Sequence, residues 1–169
     1  MIIGESFIPE HESKLIMNTL ESEQFPWHYN SYTNCPTHKR ERSQFVHIFY
    51  NHAFQERSQQ LDLILKVFQN KIPEFNTHRL LRVKGNLNVR YADKRILPPH
   101  TDLDHEGVSY LYYVNDSDGD TIFYNGWNRK SSKPQRGKLL RFSALDKHTG
   151  NIPRKHDRRI VINFLFDHG

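Results

Sequence analysis

The sequence has a single cysteine, Cys35, and lacks several features that mark common classes of protein. One cysteine can form neither an internal disulfide nor a cysteine-rich zinc site, which is typical of a reducing compartment, so we expect a cytoplasmic protein. The longest apolar stretches, such as IVINFLF, are too short to span a bilayer, and no membrane association is expected. The N-terminal residues show no basic start followed by a long apolar run, so we expect no signal peptide.

Internal repeats and low-complexity tracts are also absent, which excludes solenoids and predicts one folded unit. The 169 residues suit a single domain, and an aromatic share of 12% provides for its core. The formal charge of +5 permits an anionic partner, nucleic acid included, but it is weak support because the same charge also serves solubility. Either a monomer or a homodimer is compatible with the sequence.

Helical patterns precede strand patterns along the chain. The segment SFIPEHESKLIMNTLES predicts a short strand and then a helix with Pro9 near its first turn. Residues 55–72 carry apolar side chains at helical spacing, which predicts a second helix with one buried stripe. We therefore assign residues 1–78 to a helical support region and residues 79–169 to a strand-rich core.

After Pro73 the apolar pattern changes to period two. The predicted strands are NLNVRYA, GVSYLYYVN, DTIFY, GKLLRF and RRIVINFLF, and the polar stretches 28–44 and 125–136 are predicted to be loops. Consecutive strands without intervening helices favour antiparallel pairing in a sandwich or barrel. The predicted fold class is mainly β with flanking helices (α+β).

The stretch LPPHTDLDHEG concentrates metal-ligating residue types behind a Pro-Pro pair. His100 and Asp102 are two residues apart, so in an extended segment their side chains point to the same side. Imidazole with carboxylate suits Fe(II) and is tolerable for zinc or manganese. By itself the pair is also compatible with a polar turn between strands.

A third ligand and a cation could come from the last predicted strands. His148 follows one strand, and Arg158 opens another strand ten residues later. His156 is the alternative imidazole, but it lies only two residues before Arg158, too close to sit on a neighbouring strand. A guanidinium binds a carboxylate through two parallel hydrogen bonds, so this arrangement suits a pocket for a metal and a carboxylate ligand.

These motifs resemble the Fe(II)- and 2-oxoglutarate-dependent dioxygenases of the prolyl 4-hydroxylase-like branch. The resemblance rests on His100-Thr101-Asp102, on a distal His148 and on Arg158 ten residues beyond it. Further similar segments are NVRYADKRILPPHTD, SYLYYVNDSDGDTIFY, PQRGKLLRF and the opening FIP. The family's GGxT turn is replaced here by Asp118-Gly119-Asp120-Thr121, a departure that we do not expect to affect the metal.

The resemblance implies a double-stranded β-helix (jelly-roll) core with the N-terminal helices packed on one sheet. It implies Fe(II) bound by His100, Asp102 and His148, and 2-oxoglutarate bound by Arg158 with help from Tyr91 and Tyr113. Such an enzyme uses O2 to hydroxylate a C–H bond, with peptidyl proline as one substrate class, and releases succinate and CO2. Ascorbate would keep the iron reduced.

The sequence leaves open which arginine and which tyrosines face the predicted site. Arg159 competes with Arg158, although alternation from Arg158 gives a bulky face, Ile160 to Phe166, that favours Arg158 toward a barrel interior. A one-residue register slip would exchange the two faces. Both tyrosines could be plain core aromatics.

Other polar residues are assigned to the surroundings of the predicted site. Asp104, His105 and Glu106 are placed at the rim of the site, and Trp127 could flank the substrate mouth. The basic stretch 38–44 is either a solvated loop or a lid that contacts an acidic substrate. The segment DSDGDT resembles a calcium loop, but its glycine falls at the wrong position.

Two other functions compete with the dioxygenase. One is a non-catalytic barrel-fold module that binds an anionic partner through its basic surface. The other is a zinc or manganese hydrolase that uses the same three ligands, in which the arginine and the tyrosines would lack an obvious role.

Overall fold

The computed structural model describes residues 2–31, 43–90 and 97–168. Its helices are α1 (Glu10–Glu21), α2 (Leu61–Phe68) and α3 (Glu74–Thr77). Its strands are β1 (Ile2–Gly4), β2 (His28–Asn30), β3 (Gln44–Asn51), β4 (Glu56–Arg57), β5 (Arg79–Val89), β6 (Gly107–Tyr113), β7 (Thr121–Asn125), β8 (Asn128–Ser132), β9 (Leu139–Ser143), β10 (His148–Gly150) and β11 (Arg158–Asp167).

The strands form two antiparallel sheets. The larger sheet has the order β1-β9-β6-β11-β5-β3-β2, with β4 paired to β3, and the smaller has the order β10-β7-β8. His100 joins the smaller sheet through an isolated bridge to His148. Strand β11 is central because it pairs along its length with both β5 and β6. The antiparallel, mainly β fold with flanking helices confirms the predicted fold class.

One face of the larger sheet packs against the helices. Alternation along β11 places Ile160, Ile162, Phe164 and Phe166 in a single buried cluster with residues of both long helices. Ile16 and Leu20 of α1, and Ile64 and Phe68 of α2, supply the helical part of that cluster. Apolar side chains at these spacings form one stripe per helix, and the stripes need an apolar sheet face to cover them.

The opposite face of the larger sheet looks toward the smaller sheet. Leu111 and Tyr113 of β6 and Val161 of β11 pack with Phe123 of β7 in a second, smaller apolar cluster. Polar side chains occupy the rest of this inner face and line a cavity between the sheets. The two faces of β11 therefore have different roles, since one forms the core and the other borders the cavity.

Several element boundaries differ from the predictions. Helix α1 begins directly after Pro9 as predicted, but the helix expected over 55–72 covers only Leu61–Phe68 because Glu56–Arg57 pairs with β3. The predicted loops at 28–44 and 125–136 contain β2 and the exposed strand β8. Neither strand shows apolar alternation, so period two does not reveal them.

The N-terminal region is not only helical. Strand β3 lies within 1–78 and pairs with β5 over most of its length. The larger sheet therefore contains strands from both sides of residue 78. The division of the chain at that residue stays a prediction. In the described part of the chain, none of the helices has the length and apolarity to cross a bilayer.

Candidate metal centre and its cavity

Three ligand-type side chains converge at one end of the cavity. The nearest nitrogen or oxygen atoms of His100, Asp102 and His148 all lie within 4.8 Å of one another. His100 Nε2 lies 4.0 Å from Asp102 Oδ1, and His148 Nε2 lies 3.9 Å from Asp102 Oδ2. The structure thus brings together the three residues that the sequence singled out as metal ligands.

Backbone hydrogen bonds set the spacing of the two imidazoles. The amide of His100 donates to the carbonyl of His148, the amide of His148 donates to that of His100, and both distances are 2.9 Å. The amide of Asp102 donates to the carbonyl of Ala144, also at 2.9 Å. The three side chains are therefore positioned by main-chain pairing between the 100–102 segment and the strand-end residues opposite.

The tautomer of His148 is fixed by its neighbour. Its Nδ1 lies 2.8 Å from the carbonyl oxygen of Asp146, and a carbonyl can only accept, so Nδ1 carries the proton. When this imidazole is neutral, the lone pair lies on Nε2, the nitrogen that faces Asp102. This is the arrangement that orients metal-binding histidines in proteins.

Asp102 is held by side chains from three strands. Its Oδ2 accepts hydrogen bonds from Ser109 Oγ of β6 at 2.6 Å and from Asn163 Nδ2 of β11 at 3.4 Å. The guanidinium of Arg82, on β5, lies 3.6 Å from its Oδ1. Because its side chain is only 6% exposed, these partners determine which way the carboxylate faces.

The electrostatics keep His100 and Asp102 in their metal-binding forms. Burial, together with the nearby His148, lowers the pKa of His100 to about 4, so its imidazole is neutral at pH 7. Burial alone would raise the pKa of Asp102, but His148, the Ser109 hydroxyl and Arg82 bring it below its ordinary value. A neutral imidazole and an ionised carboxylate are the forms that bind metal ions.

The cavity extends from the triad along β11 to a buried arginine. It has a volume of about 390 Å³ and is lined by residues of both sheets. Arg159, only 4% exposed, lines the cavity four residues along β11 from Asn163, the residue that contacts Asp102. Its Nη2 donates to Thr121 Oγ1 at 2.8 Å, and its guanidinium carbon lies 5.8 Å from the centre of the Tyr113 ring.

Arg159 has no carboxylate partner among the described residues. Its Nε is buried without a hydrogen-bond acceptor, and Asp120 acts on it through its charge without forming an ion pair. Burial lowers the pKa of Arg159, but a guanidinium stays charged at neutral pH. A buried and unpaired cation is costly, so this end of the cavity fits an anionic ligand.

The sequence-based preference for Arg158 is corrected by its position. Arg158 is exposed, and its Nε donates to Glu21 Oε1 of α1 at 2.9 Å. It shares a face with Ile160 and Phe164, which pack against the helices, whereas Arg159 shares a face with Val161 and Asn163 inside the cavity. The assumption that the bulkier face lines the interior was wrong.

Tyr113 lies behind the cavity wall. Its single hydroxyl proton is shared between Thr121 Oγ1 at 2.7 Å and the Ser132 carbonyl at 3.2 Å, so Tyr113 supports the threonine that also contacts Arg159. Tyr91 and residues 38–42 of the basic stretch fall outside the described residues.

The remaining candidates lie away from the triad. His156 contacts Asp118, while Asp104 and His105 are exposed and pair with each other at 2.8 Å. Glu106 is exposed beside them, and Trp127 is fully exposed at the turn between β7 and β8. None of these residues belongs to the described cavity lining.

Sequence reasoning missed the polar wall that β5 contributes. Its cavity-facing side chains alternate along the strand, and they are Arg82, Lys84, Asn86 and Asn88. The segment RVKGNLNVR shows this alternation, which could have identified a polar inner face.

Structural comparison, unlike sequence comparison, finds known proteins with a similar fold. No protein-family model matches the sequence, and none of the curated proteins matches it significantly. Solved structures do match. An oxidoreductase of the 2OG-Fe(II) oxygenase family from Burkholderia pseudomallei has a TM-score of 0.70 at 11% identity, over 96% of this chain and 82% of that one.

Two further matches are similar in extent. A prolyl hydroxylase from Trichoplax adhaerens, solved with a hypoxia-inducible-factor peptide, has a TM-score of 0.69 at 14% identity, over 99% of this chain and 83% of its own. HygX from Streptomyces hygroscopicus, solved with nickel and 2-oxoglutarate, has a TM-score of 0.68 at 12% identity, over 98% and 81%. With its His-Asp-His triad between two antiparallel sheets, this chain has the fold of the 2-oxoglutarate- and Fe(II)-dependent oxygenases.

Proposed function

We propose that this chain is an Fe(II)- and 2-oxoglutarate-dependent dioxygenase that hydroxylates an unactivated C–H bond and releases succinate and CO2. The observation that carries the proposal is the joint placement of the triad and the unpaired Arg159 in one cavity. A metal site and a carboxylate site in the same cavity are what a metal-chelating dicarboxylate requires.

The donor set fits Fe(II). Two imidazole nitrogens and one carboxylate, from His148, His100 and Asp102, leave coordination positions open for exchangeable ligands. When bound, Fe(II) with 2-oxoglutarate and O2 supplies the oxidising power that no side chain has. The protein contributes ligand orientation through the Asp146 carbonyl and Ser109.

Arg159 suits the distal carboxylate of 2-oxoglutarate. In a buried setting, the guanidinium can donate two parallel hydrogen bonds to a carboxylate, and Thr121 holds one of its nitrogens in place. The ligand would lie over Val161, with Leu111 and Leu97 as apolar neighbours that exclude water from the site. Tyr113 supports this end through Thr121, and a cosubstrate role for Tyr91 remains a prediction from the sequence.

The substrate class, the co-reactants and the compartment are also proposals. One matching structure is a prolyl hydroxylase with a bound peptide, which supports peptidyl proline as a substrate class for this chain. We propose O2 as the oxidant, ascorbate as the reductant that maintains Fe(II), and the cytoplasm as the compartment. A monomer and a homodimer are equally compatible with the described residues.

The proposal is tested by metal-dependent turnover of 2-oxoglutarate. Protein prepared without oxygen and loaded with Fe(II) and 2-oxoglutarate should show a visible charge-transfer band, and admitting O2 with ascorbate should yield succinate. His100→Ala should abolish both, while His105→Ala, an exposed neighbour, should retain them.

Two experimental outcomes would favour a different function. Tight zinc or manganese binding with no band and no succinate would favour the hydrolase. Salt-sensitive binding to nucleic acid without any metal uptake would favour the binding module.

A further inference from the structure

The wall that β5 contributes to the cavity carries two cations that are neither metal ligands nor assigned to the cosubstrate, although one of them, Arg82, also contacts Asp102. Arg82 and Lys84 lie on β5, one strand away from the β11 residues that run from the triad to Arg159. In the strand register Lys84 is level with Asn163, whereas Asn88 is level with Arg159. The pair therefore borders the metal end of the cavity, on the side away from β6.

Among the described residues, neither cation has a carboxylate partner of its own. Arg82 Nε is buried without a hydrogen-bond acceptor, and its nearest described carboxylate is Asp102, at 3.6 Å. Asp102 is a metal-ligand candidate, so its charge is shared. Lys84 forms no ion pair with any described carboxylate, and its pKa is lowered to about 8 by burial and by the nearby Arg82. An anion placed between the two side chains would offset both the burial and their mutual repulsion.

The net charge of the cavity also favours a further anion, an inference that rests on the proposed function. Asp102 is the single carboxylate in the described cavity lining. A divalent metal, Asp102, Arg159 and a dianionic cosubstrate together carry no net charge, so Arg82 and Lys84 remain as an uncompensated pair. The amide side chains of Asn86 and Gln44 extend the same wall with neutral donors and acceptors.

We propose that Arg82 and Lys84 bind an oxyanion group, a carboxylate or a phosphate, of the molecule that is oxidised. The anion anchors the substrate beside the triad, so the bond to be oxidised lies within a few bonds of a negatively charged group. Arg82 offers a planar fork and Lys84 a compact point charge, a combination that suits either kind of oxyanion.

The test measures binding to protein loaded with Mn(II) and 2-oxoglutarate without oxygen, so that the cosubstrate site is filled. The probes are matched pairs with and without the anion. The carboxylate arm uses N-acetyl amino acids and their amides, and the phosphate arm uses nucleoside 5′-monophosphates and the nucleosides. Calorimetric titration should show that the anionic member binds more tightly in one arm, which identifies the source.

Four substitutions and a control assign the effect to the pair. Lys84→Met and Arg82→Met should each weaken the preferred anion by about tenfold or more, whereas Lys84→Arg and Arg82→Lys should retain most of the preference. Lys66→Met, on the exposed face of α2, should leave it unchanged. Thermal unfolding checks the fold of each variant, and Mn(II) affinity checks the triad. Because Arg82 also contacts Asp102, the Lys84 variants, which leave that contact in place, decide the assignment.

Specific results would overturn the inference. One is equal binding of charged and neutral members in both arms, and another is an anion preference that survives both methionine variants. Weakened 2-oxoglutarate binding with unchanged probe binding would reassign the pair to the cosubstrate. Mn(II) and 2-oxoglutarate binding without anion preference defeats this inference alone, while absent metal binding defeats the proposed function and leaves the probe titration measurable on the metal-free chain.

Discussion

Gly150 lies directly against the guanidinium of Arg159. A Cβ atom on Gly150 would stand 3.0 Å from Nη1 and 3.2 Å from Cζ of that arginine. Gly119 approaches the same side chain, because its Cβ would lie 2.9 Å from Cδ. The arginine is therefore seated between two positions that accept no side chain without displacing it.

Gly150→Ala should weaken 2-oxoglutarate binding without affecting the metal. Since the added methyl group moves the guanidinium, we expect KM for 2-oxoglutarate to rise about tenfold, with Mn(II) affinity unchanged. Gly4→Ala is the matched control, because its nearest neighbour would be at an ordinary contact distance of 3.7 Å. Equal KM values for the two variants would show that the position of Arg159 does not matter for the cosubstrate.

The two adjacent arginines should behave differently on substitution. Arg159→Met removes the buried cation, and we expect KM for 2-oxoglutarate to rise roughly 100-fold. Arg158→Met loses only an exposed pair with Glu21, so KM should stay within about twofold of wild type. The opposite ranking, measured by succinate formation, would restore the sequence-based preference for Arg158.

Loss of a single ligand should remove metal binding. We expect Asp102→Ala and His148→Ala to weaken Mn(II) binding, followed by electron paramagnetic resonance, by at least about 100-fold, since the loss of one ligand costs more than the loss of an outer partner. The exposed pair Asp104 and His105 supplies the controls, and Asp104→Ala should bind Mn(II) normally. Normal Mn(II) binding by Asp102→Ala would place the metal elsewhere.

Acid should destabilise the chain through Glu74, a buried residue of α3. Glu74 accepts hydrogen bonds from Tyr110, and from Arg141 Nε at 2.9 Å and Nη2 at 2.8 Å. Burial alone would raise the pKa of Glu74, but these partners hold it below its ordinary value. The unfolded chain therefore binds this proton more readily, so the stabilisation is present above the ordinary pKa and is lost as the pH falls through the folded one.

Urea unfolding measures this contribution. At pH 7 Glu74→Gln should reduce the free energy of unfolding by about 2 kcal/mol, and the difference from wild type should shrink toward pH 3. An effect of Glu74→Gln that stays constant between these pH values would contradict the assignment.

The fold class can be predicted from local sequence patterns, whereas the triad also required the resemblance to a known family, because His148 lies far from His100 and Asp102 along the chain. The period-two strands, the apolar stripes of α1 and α2, and the H-x-D spacing can all be read without tertiary structure. The inner face of β11 cannot be read that way. Alternation separates Arg158 from Arg159, but it does not say which face meets the helices.

The apolar stripes of the two helices could have decided between Arg158 and Arg159. The stripes of α1 and α2 must be covered by an apolar sheet face, which the series Ile160 to Phe166 provides. The inner strand β3, QFVHIFYN, is largely apolar and could have been recognised as a strand from its composition. The exposed strand β8 could not, because it is held by pairing with β7 rather than by apolar burial.

The reciprocal backbone bonds between His100 and His148 also bear on metal identity. Because main-chain pairing fixes the spacing of the imidazoles, the protein presents the same donor set to every divalent ion that reaches it. For nitrogen and oxygen donors, intrinsic affinity rises from manganese through iron to copper, so such a site does not favour iron by strength of binding. We expect the metal recovered with the chain to reflect the ions supplied during growth, and iron occupancy to be a property of the cell rather than of the cavity.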